Sequence, residues 1–486
     1  MTRRLEKNLG LLFLGEGSAK ALSMVVFFFL GNTLGPARYG DLEFAVGVWF
    51  VLNLVLEAGL AQFGAREASR QPQRLSALIG QITALRVIVL AADLALLTIF
   101  VSVIDRSTEA EQLVMLFGFV LVPSSALLGW VFQARNEMGV VAVSNLIRQS
   151  LLAAGVLLIV RGPSDVAWVP ALDACAVLVV VVIQWRTLKK RGGKAIWPTQ
   201  GRAMVQIVRA AAPMAASSIV WALRLFLPLL ALHGWAGSTR TGYFGAGHRM
   251  VVAAHTFVWL YFFNLLPTLS VLAASKATAE WERLLGRSQA VVCRYAVPLT
   301  IAVSLFAPGL LTALYGDAYA AGGIAFSIAA LLLGAAALSG NFRYALIAKD
   351  RQGAECLSNM AGLVAVLVVL MVERSSITIE SAALAFVVGE LTTLVVAATI
   401  LLRNEVSMRW ALTGLPWLGI AVVAGIGGYL FLPEAPMVAV TPLLALIITS
   451  ALRKDCPLRG FEFTGSNRLL GIMTTESPKE LPHELD

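Results

Sequence analysis

Ionisable side chains interrupt long apolar runs at Lys20, Arg86, Arg148, Arg224 and Arg249, and again at Glu16, Glu57, Asp93 and Glu390. An ionised group at the centre of a bilayer costs at least ~2.5 kcal/mol unless it is paired or wetted, so each needs a partner or a task. Arginine presents forked donors that suit phosphate-like anions, and the carboxyl groups could carry protons or hold cations for coupling. Glu16 and Lys20 lie four residues apart and Arg86 and Asp93 seven apart, so each pair shares a helix face and can neutralise itself. Arg148 and Arg224 have no acid three or four residues away. With Lys20, Arg86 and Arg249 they are expected to line a cationic cavity, a binding site for an anionic substrate. Asp173, Glu355 and Arg294 read as charges that join helices, and His248 and His255, seven apart, as a weaker candidate proton relay.

The elements that position these groups must be membrane helices. Apolar residues make up 58% of 486 positions and charged residues 14%, against about a quarter charged in soluble domains. No run alternates as a barrel strand does, which leaves helices as the way to satisfy the backbone. The expected fold is an all-α polytopic membrane protein of about fourteen transmembrane helices. Spans are drawn at 9–33, 41–63, 76–103, 111–133, 139–161, 165–186, 205–233, 242–272, 288–314, 322–347, 352–372, 378–402, 410–432 and 435–452.

Charge distribution tests that drawing. The net charge of +9 sits in short joints, as orientation signals do, which argues against a nucleic-acid partner. With the N-terminus inside, 25 lysines and arginines fall in cytoplasmic segments, and only Arg38, Arg106, Arg161, Arg240 and Arg374 fall outside. Both termini are therefore expected in the cytoplasm and the protein in the inner membrane. The basic joint divides the chain into an N-lobe at 1–186, a linker at 187–204 and a C-lobe at 205–402. Two further spans lie at 403–453 and a disordered cytoplasmic tail at 454–486. The lobes are expected to enclose the cavity, with spans 13 and 14, which carry no charge, at the periphery. Lys276–Ser288, with Trp281, Leu284 and Leu285 among charges, reads as a segment lying in the membrane interface. No cysteine pair has zinc spacing, no metal-ligand cluster or nucleotide loop appears, and no cofactor is expected.

A faint repeat supports two halves. Gly35-Pro-Ala-Arg38-Tyr-Gly40 follows span 1 and Gly237-Ser-Thr-Arg240-Thr-Gly242 follows span 7, trailed by Phe44-Ala-Val-Gly47 and Phe244-Gly-Ala-Gly247. The run Leu34–Gly40, then Glu57-Ala58-Gly59-Leu60, Gly64-Ala65-Arg66-Glu67, Gly242–Gly247 and Leu314–Tyr319 resembles polysaccharide transporters of the Wzx flippase type. These belong to the multidrug/oligosaccharidyl-lipid/polysaccharide exporter superfamily. The resemblance covers about the first 400 residues. It implies two six-helix lobes around a central cavity plus two extra helices. It also implies ion-coupled, alternating-access movement of an undecaprenyl-diphosphate-linked oligosaccharide through the membrane lipids, with a polysaccharide polymerase as a downstream partner. Two alternatives are a multidrug/cation antiporter of the same superfamily, which should have an acidic or apolar cavity, and a membrane polymerase or glycosyltransferase. The latter should have a large outer loop, and the longest outer joint here is short, so no enzyme activity is expected.

Overall fold

A computed structural model describes residues 2–103, 108–197, 201–275, 277–403 and 409–431. Among these the chain is helical and without strands. Eleven segments are long and apolar enough to cross a membrane. Their outward faces carry Ile88, Phe119, Leu158, Phe257, Ile324 and Val395, all largely exposed, while charged side chains turn inward. That inversion marks a protein whose solvent is lipid, and the chain is a multi-pass membrane protein. Expected span 14 and the tail lie outside the described residues.

The first helix, α1 (Thr2–Glu57), belongs to an apolar stretch of 54 residues, Gly17–Arg70. At 1.5 Å per residue such a stretch would run ~80 Å, far beyond a hydrocarbon core of ~30 Å. Gly35 breaks it, with φ 73° and ψ 167°, and Pro36 restarts the helix at the position where a missing N–H costs nothing. The second span therefore begins at Pro36 rather than at residue 41. Asp41 and Glu43 lie inside it and are buried. Ala58 and Gly59 then turn the chain with positive φ into α2 (Leu60–Arg70), and Gly59 sits so close to a later helix, Gly201–Ala236, that a Cβ would lie 2.9 Å from the Ala211 carbonyl.

The helices that follow are α3 (Leu75–Val103), α4 (Thr108–Ser124), α5 (Gly129–Ala134), α6 (Met138–Ile159) and α7 (Trp168–Lys190). The expected fourth span is thus broken after Pro123, and its freed backbone groups find side chains from neighbours. Gln184 of α7 accepts from the Leu128 N–H at 2.7 Å, and Trp185 donates to the Ala126 carbonyl at 2.9 Å. Arg86 donates to the Leu127 carbonyl at 2.7 Å. A broken membrane helix is stable only with such replacements. Past α7 the basic joint docks on α3, where the Ile196 N–H donates to the Ser76 carbonyl.

The second half holds α8 (Gly201–Ala236), α9 (Ser238–Ala274), α10 (Thr278–Val291), α11 (Val297–Tyr315), α12 (Gly323–Ala348), α13 (Gln352–Val372), α14 (Ile379–Leu402) and α15 (Leu415–Phe431). A π-turn at Val292–Ala296 joins α10 to α11 in one helical stretch. In the segment read as interfacial, Trp281 and Leu285 are 2% and 0% exposed and pack in a protein core with Phe262, Phe342 and Trp410. The largest core joins the two halves, with Leu30 and Leu42 of α1 meeting Leu229, Phe244, Phe326 and Phe386.

Candidate functional site

At one end of the molecule the two glycine motifs meet. Gly35 and Gly237 share one backbone conformation, φ 73° and ψ 167° against φ 85° and ψ 176°, and Gly316 repeats it at φ 85° and ψ 168°. An L side chain is strained there, so each site needs glycine. The last glycine of each motif then packs on the other. A Cβ at Gly40 would lie 1.9 Å from the Ser238 carbonyl oxygen, and one at Gly242 would lie 1.9 Å from that of Pro36. The first part of the sequence repeat thus falls on two glycines of one backbone conformation. The trailing part is out of step, since Phe44 follows Gly35 by nine residues and Phe244 follows Gly237 by seven.

Polar and aromatic groups seal the same seam. The Tyr39 and Tyr315 hydroxyls share a hydrogen bond of 3.1 Å, and Tyr319 donates to the Gly31 carbonyl at 2.9 Å. Asn32 donates to the Leu314 carbonyl at 2.8 Å. Asp41 lies 3.1 Å from His233 Nε2 and accepts from the Ser238 hydroxyl, while Phe44 stacks on the His233 ring.

Deeper in, every expected cavity arginine meets an acid from another helix. Arg249 of α9 makes a bidentate pair with Glu43 of α1 at 2.9 and 2.7 Å, above the Phe27 ring. Arg148 of α6 holds Asp173 of α7 through two bonds of 3.0 and 2.9 Å. Arg86 holds Glu57 at 2.9 Å. Arg224 lies 2.6 Å from Glu390, both 1% exposed, and donates to Thr393 at 2.8 Å. Gly362 and Gly389 open the slot for it: a Cβ on Gly362 would lie 3.0 Å from Arg224 Cδ. Beside this pair Arg343 holds Glu355 at 2.6 Å, with Ser217 and Asn359 donating to the same carboxylate.

The expectation of unpaired cations at Arg148 and Arg224 is therefore corrected. Their partners, Asp173 and Glu390, are distant in sequence, and a search at three and four residues cannot see them. The expected Arg86–Asp93 pair is also absent, because Arg86 turns to Glu57. Asp93 is 0% exposed, and neither carboxyl oxygen has a hydrogen-bond partner among the described residues. The Glu16 side chain lies outside the described residues. His248 Nε2 donates to the Leu225 carbonyl, 2.9 Å away, within an aromatic nest of Phe226, Phe244 and Phe386. Sequence reasoning passed over Asp41, Glu43 and His233. Proline at the first position of a helix was the signal that would have moved the second span back to include both acids.

Two of the expected cations share one cavity. Lys20, Ser23, Asn145, Arg148 and Gln149 line a space of about 170 Å³ between α1 and α6. The buried Gln149 carbonyl oxygen at its border has no partner among the described residues. Arg86, Arg224 and Arg249 are not part of that cavity; each stands in its own ion pair.

The molecule is a helical membrane body with charged side chains paired in its interior. The chain belongs to the polysaccharide biosynthesis protein family, whose sequence pattern matches residues 5–273. No curated protein sequence matches it. Among solved structures it is similar to the lipid II flippase MurJ in an inward closed conformation, with a TM-score of 0.72 at 9% identity, covering 90% of this chain and 97% of that one. A MOP superfamily transporter from Pyrococcus furiosus aligns with a TM-score of 0.59 at 11% identity, over 83% of this chain and 94% of that one. The Vibrio cholerae MATE transporter VcmN, in its bent form, gives 0.55 at 14% identity, over 85% of this chain and 98% of that one. At these identities the likeness is one of fold.

Proposed function

We propose that this protein is a flippase that carries a lipid-linked oligosaccharide, with an undecaprenyl-diphosphate anchor, from the cytoplasmic to the periplasmic leaflet of the inner membrane. The observation that carries this reading is the polar cavity bordered by Lys20 and Arg148, set inside a member of the polysaccharide biosynthesis family. A diphosphate is a strong acceptor for forked and ammonium donors. Family membership supports the glycan, and the cation-bordered cavity supports the phosphates.

In this reading fourteen spans form two six-helix lobes and a peripheral pair. The excess of basic residues in alternate joints supports cytoplasmic termini. The Gly40–Gly242 seam then lies on the periplasmic side, and this conformation is closed there. Arg249–Glu43 bridges the lobes just below the seam, so outward opening must break it. A phosphate reaching Arg249 can take the place of Glu43, exchanging one charge-assisted contact for another and lowering the barrier to opening. Coupling to an ion gradient would enter through an interior acid that no arginine holds, as Asp93 is among the described residues. A polymerase would consume the delivered unit.

Deleting the gene and identifying the lipid-linked glycan that accumulates tests the proposal. An undecaprenyl-diphosphate oligosaccharide should build up on the cytoplasmic face, and complementation should clear it. A deletion strain with normal surface polysaccharide and no accumulated intermediate would reject the reading.

A further inference from the structure

Among the interior acids whose side chains the structure describes, Asp93 is unlike the others. Glu57 is held by Arg86 and Glu390 by Arg224, so protonating either would strand a buried arginine. Such pairs are poorly suited to exchanging protons. Asp93 has no such tie. It is wholly buried on α3, with both oxygens unpartnered among the described residues. Leu90, on the turn before it, packs with Leu56 and Leu121, and Leu97, on the turn after, fills the space beside Gly118 of α4. Trp49 of α1 joins the same cluster, and its indole N–H is likewise buried and unpartnered among the described residues.

Among the described residues, the charged groups on the elements packed against α3 have partners of their own or lie exposed. On α3 itself Arg86 is tied to Glu57 of α1. From α4 the acids Glu109 and Glu111 lie on the first turn, and Glu109 is tied to Arg38. α2 and α8 meet the opposite end of α3, where Glu67 pairs with Arg74 and Arg209 is exposed. The Arg148 guanidinium stands 5.7 Å from the centre of the Trp49 ring and is paired with Asp173. An ionised carboxylate with neither hydrogen bonds nor a counter-ion is the least favourable form this site could take, and the protonated acid is the favourable one.

We infer that Asp93 is a proton-binding carboxyl of this protein, neutral in the closed conformation, and that it enters the transport cycle by losing and regaining that proton. The inference rests on the flippase reading for its role in transport, but not for the proton site itself. The proton is taken up at the Asp93 carboxylate oxygen and released from the same atom.

Two measurements test this. First, the purified full-length protein is treated with the hydrophobic reagent dicyclohexylcarbodiimide, which attacks protonated carboxyl groups, and the adduct is located by peptide mass spectrometry. Asp93 should be modified, the adduct should diminish as the pH is raised, and Glu57 and Glu390 should stay unmodified. Absence of an Asp93 adduct at every pH would overturn the inference. Second, Asp93→Asn, an isosteric mimic of the protonated acid, is expressed in the deletion strain. Loss of export at normal protein abundance, with partial rescue by Asp93→Glu, is the expected result. Export by Asp93→Asn at the wild-type level would overturn the role in transport. A modified Asp93 in a protein whose deletion leaves no lipid-linked glycan would keep the proton site and reject the flippase reading.

Discussion

Gly40 and Gly242 each rest on a backbone carbonyl of the other's motif, so that a methyl group on either would lie 1.9 Å from an oxygen of the opposite half. No flexible side chain lies at the contact to move aside, and backbone must yield.

Gly40→Ala should therefore wedge the seam open. Thr241, 0% exposed beside it, provides a reporter once changed to cysteine. Labelling of that cysteine by a membrane-impermeant maleimide should rise in the Gly40→Ala background, and Gly242→Ala should act alike. Unchanged labelling in both would mean that the contact is not a closing surface.

Arg224 and Glu390 should behave as a buried structural pair. Removing either partner alone, as in Arg224→Ala or Glu390→Ala, leaves an uncompensated charge and should cost about 3–5 kcal/mol. Replacing both with leucine should recover most of that loss. Thermal unfolding of the detergent-solubilised protein reads the difference, and additive losses in the double variant would refute the pairing.

Arg148 should separate from Arg224 in its effects. Its side chain is 26% exposed and borders the cavity, so Arg148→Ala leaves Asp173 access to water. Export should fall sharply while the unfolding temperature moves much less than for Arg224→Ala. Normal surface polysaccharide in Arg148→Ala would remove this residue from the site.

Arg86→Lys tests the repair of the broken fourth span. The guanidinium reaches Glu57 and the Leu127 carbonyl at once, 2.9 and 2.7 Å away, through two nitrogens. A lysine has one nitrogen and keeps one contact, so a buried carbonyl loses its donor at about 1–3 kcal/mol. Thermal unfolding again gives the measure, and stability equal to wild type would count against the capping role.

Much of this architecture was legible from hydropathy, because twenty-residue apolar runs and basic joints report directly on a bilayer. The helix break at Gly35 was also visible, as a glycine before a proline. The pairing of charges was not. Helical periodicity relates residues three, four and seven apart, whereas Arg249 and Glu43 are 206 residues apart and meet only when α9 packs on α1. Arg148 and Arg224 looked solitary for that reason. Asp93 was misplaced in the opposite sense: its spacing from Arg86 suggested a pair, but Glu57 and the open carbonyl of Leu127 together offered Arg86 more. The break after Pro123 that exposes that carbonyl depends on Gln184 and Trp185, and nothing local to either segment announces it.

The separation of Arg224 from its partners has a bearing on how the chain is made. Its guanidinium reaches the Gly389 carbonyl, 165 residues further on, and the Glu390 carboxylate beside it. Ribosomes add roughly 5–20 residues per second, so α8 must wait on the order of 10–30 s before α14 emerges. During that interval an arginine destined for the driest part of the protein has no acid to answer it. α8 must then be held during synthesis by the insertion machinery or by earlier helices, and release into lipid before α14 arrives would strand the charge.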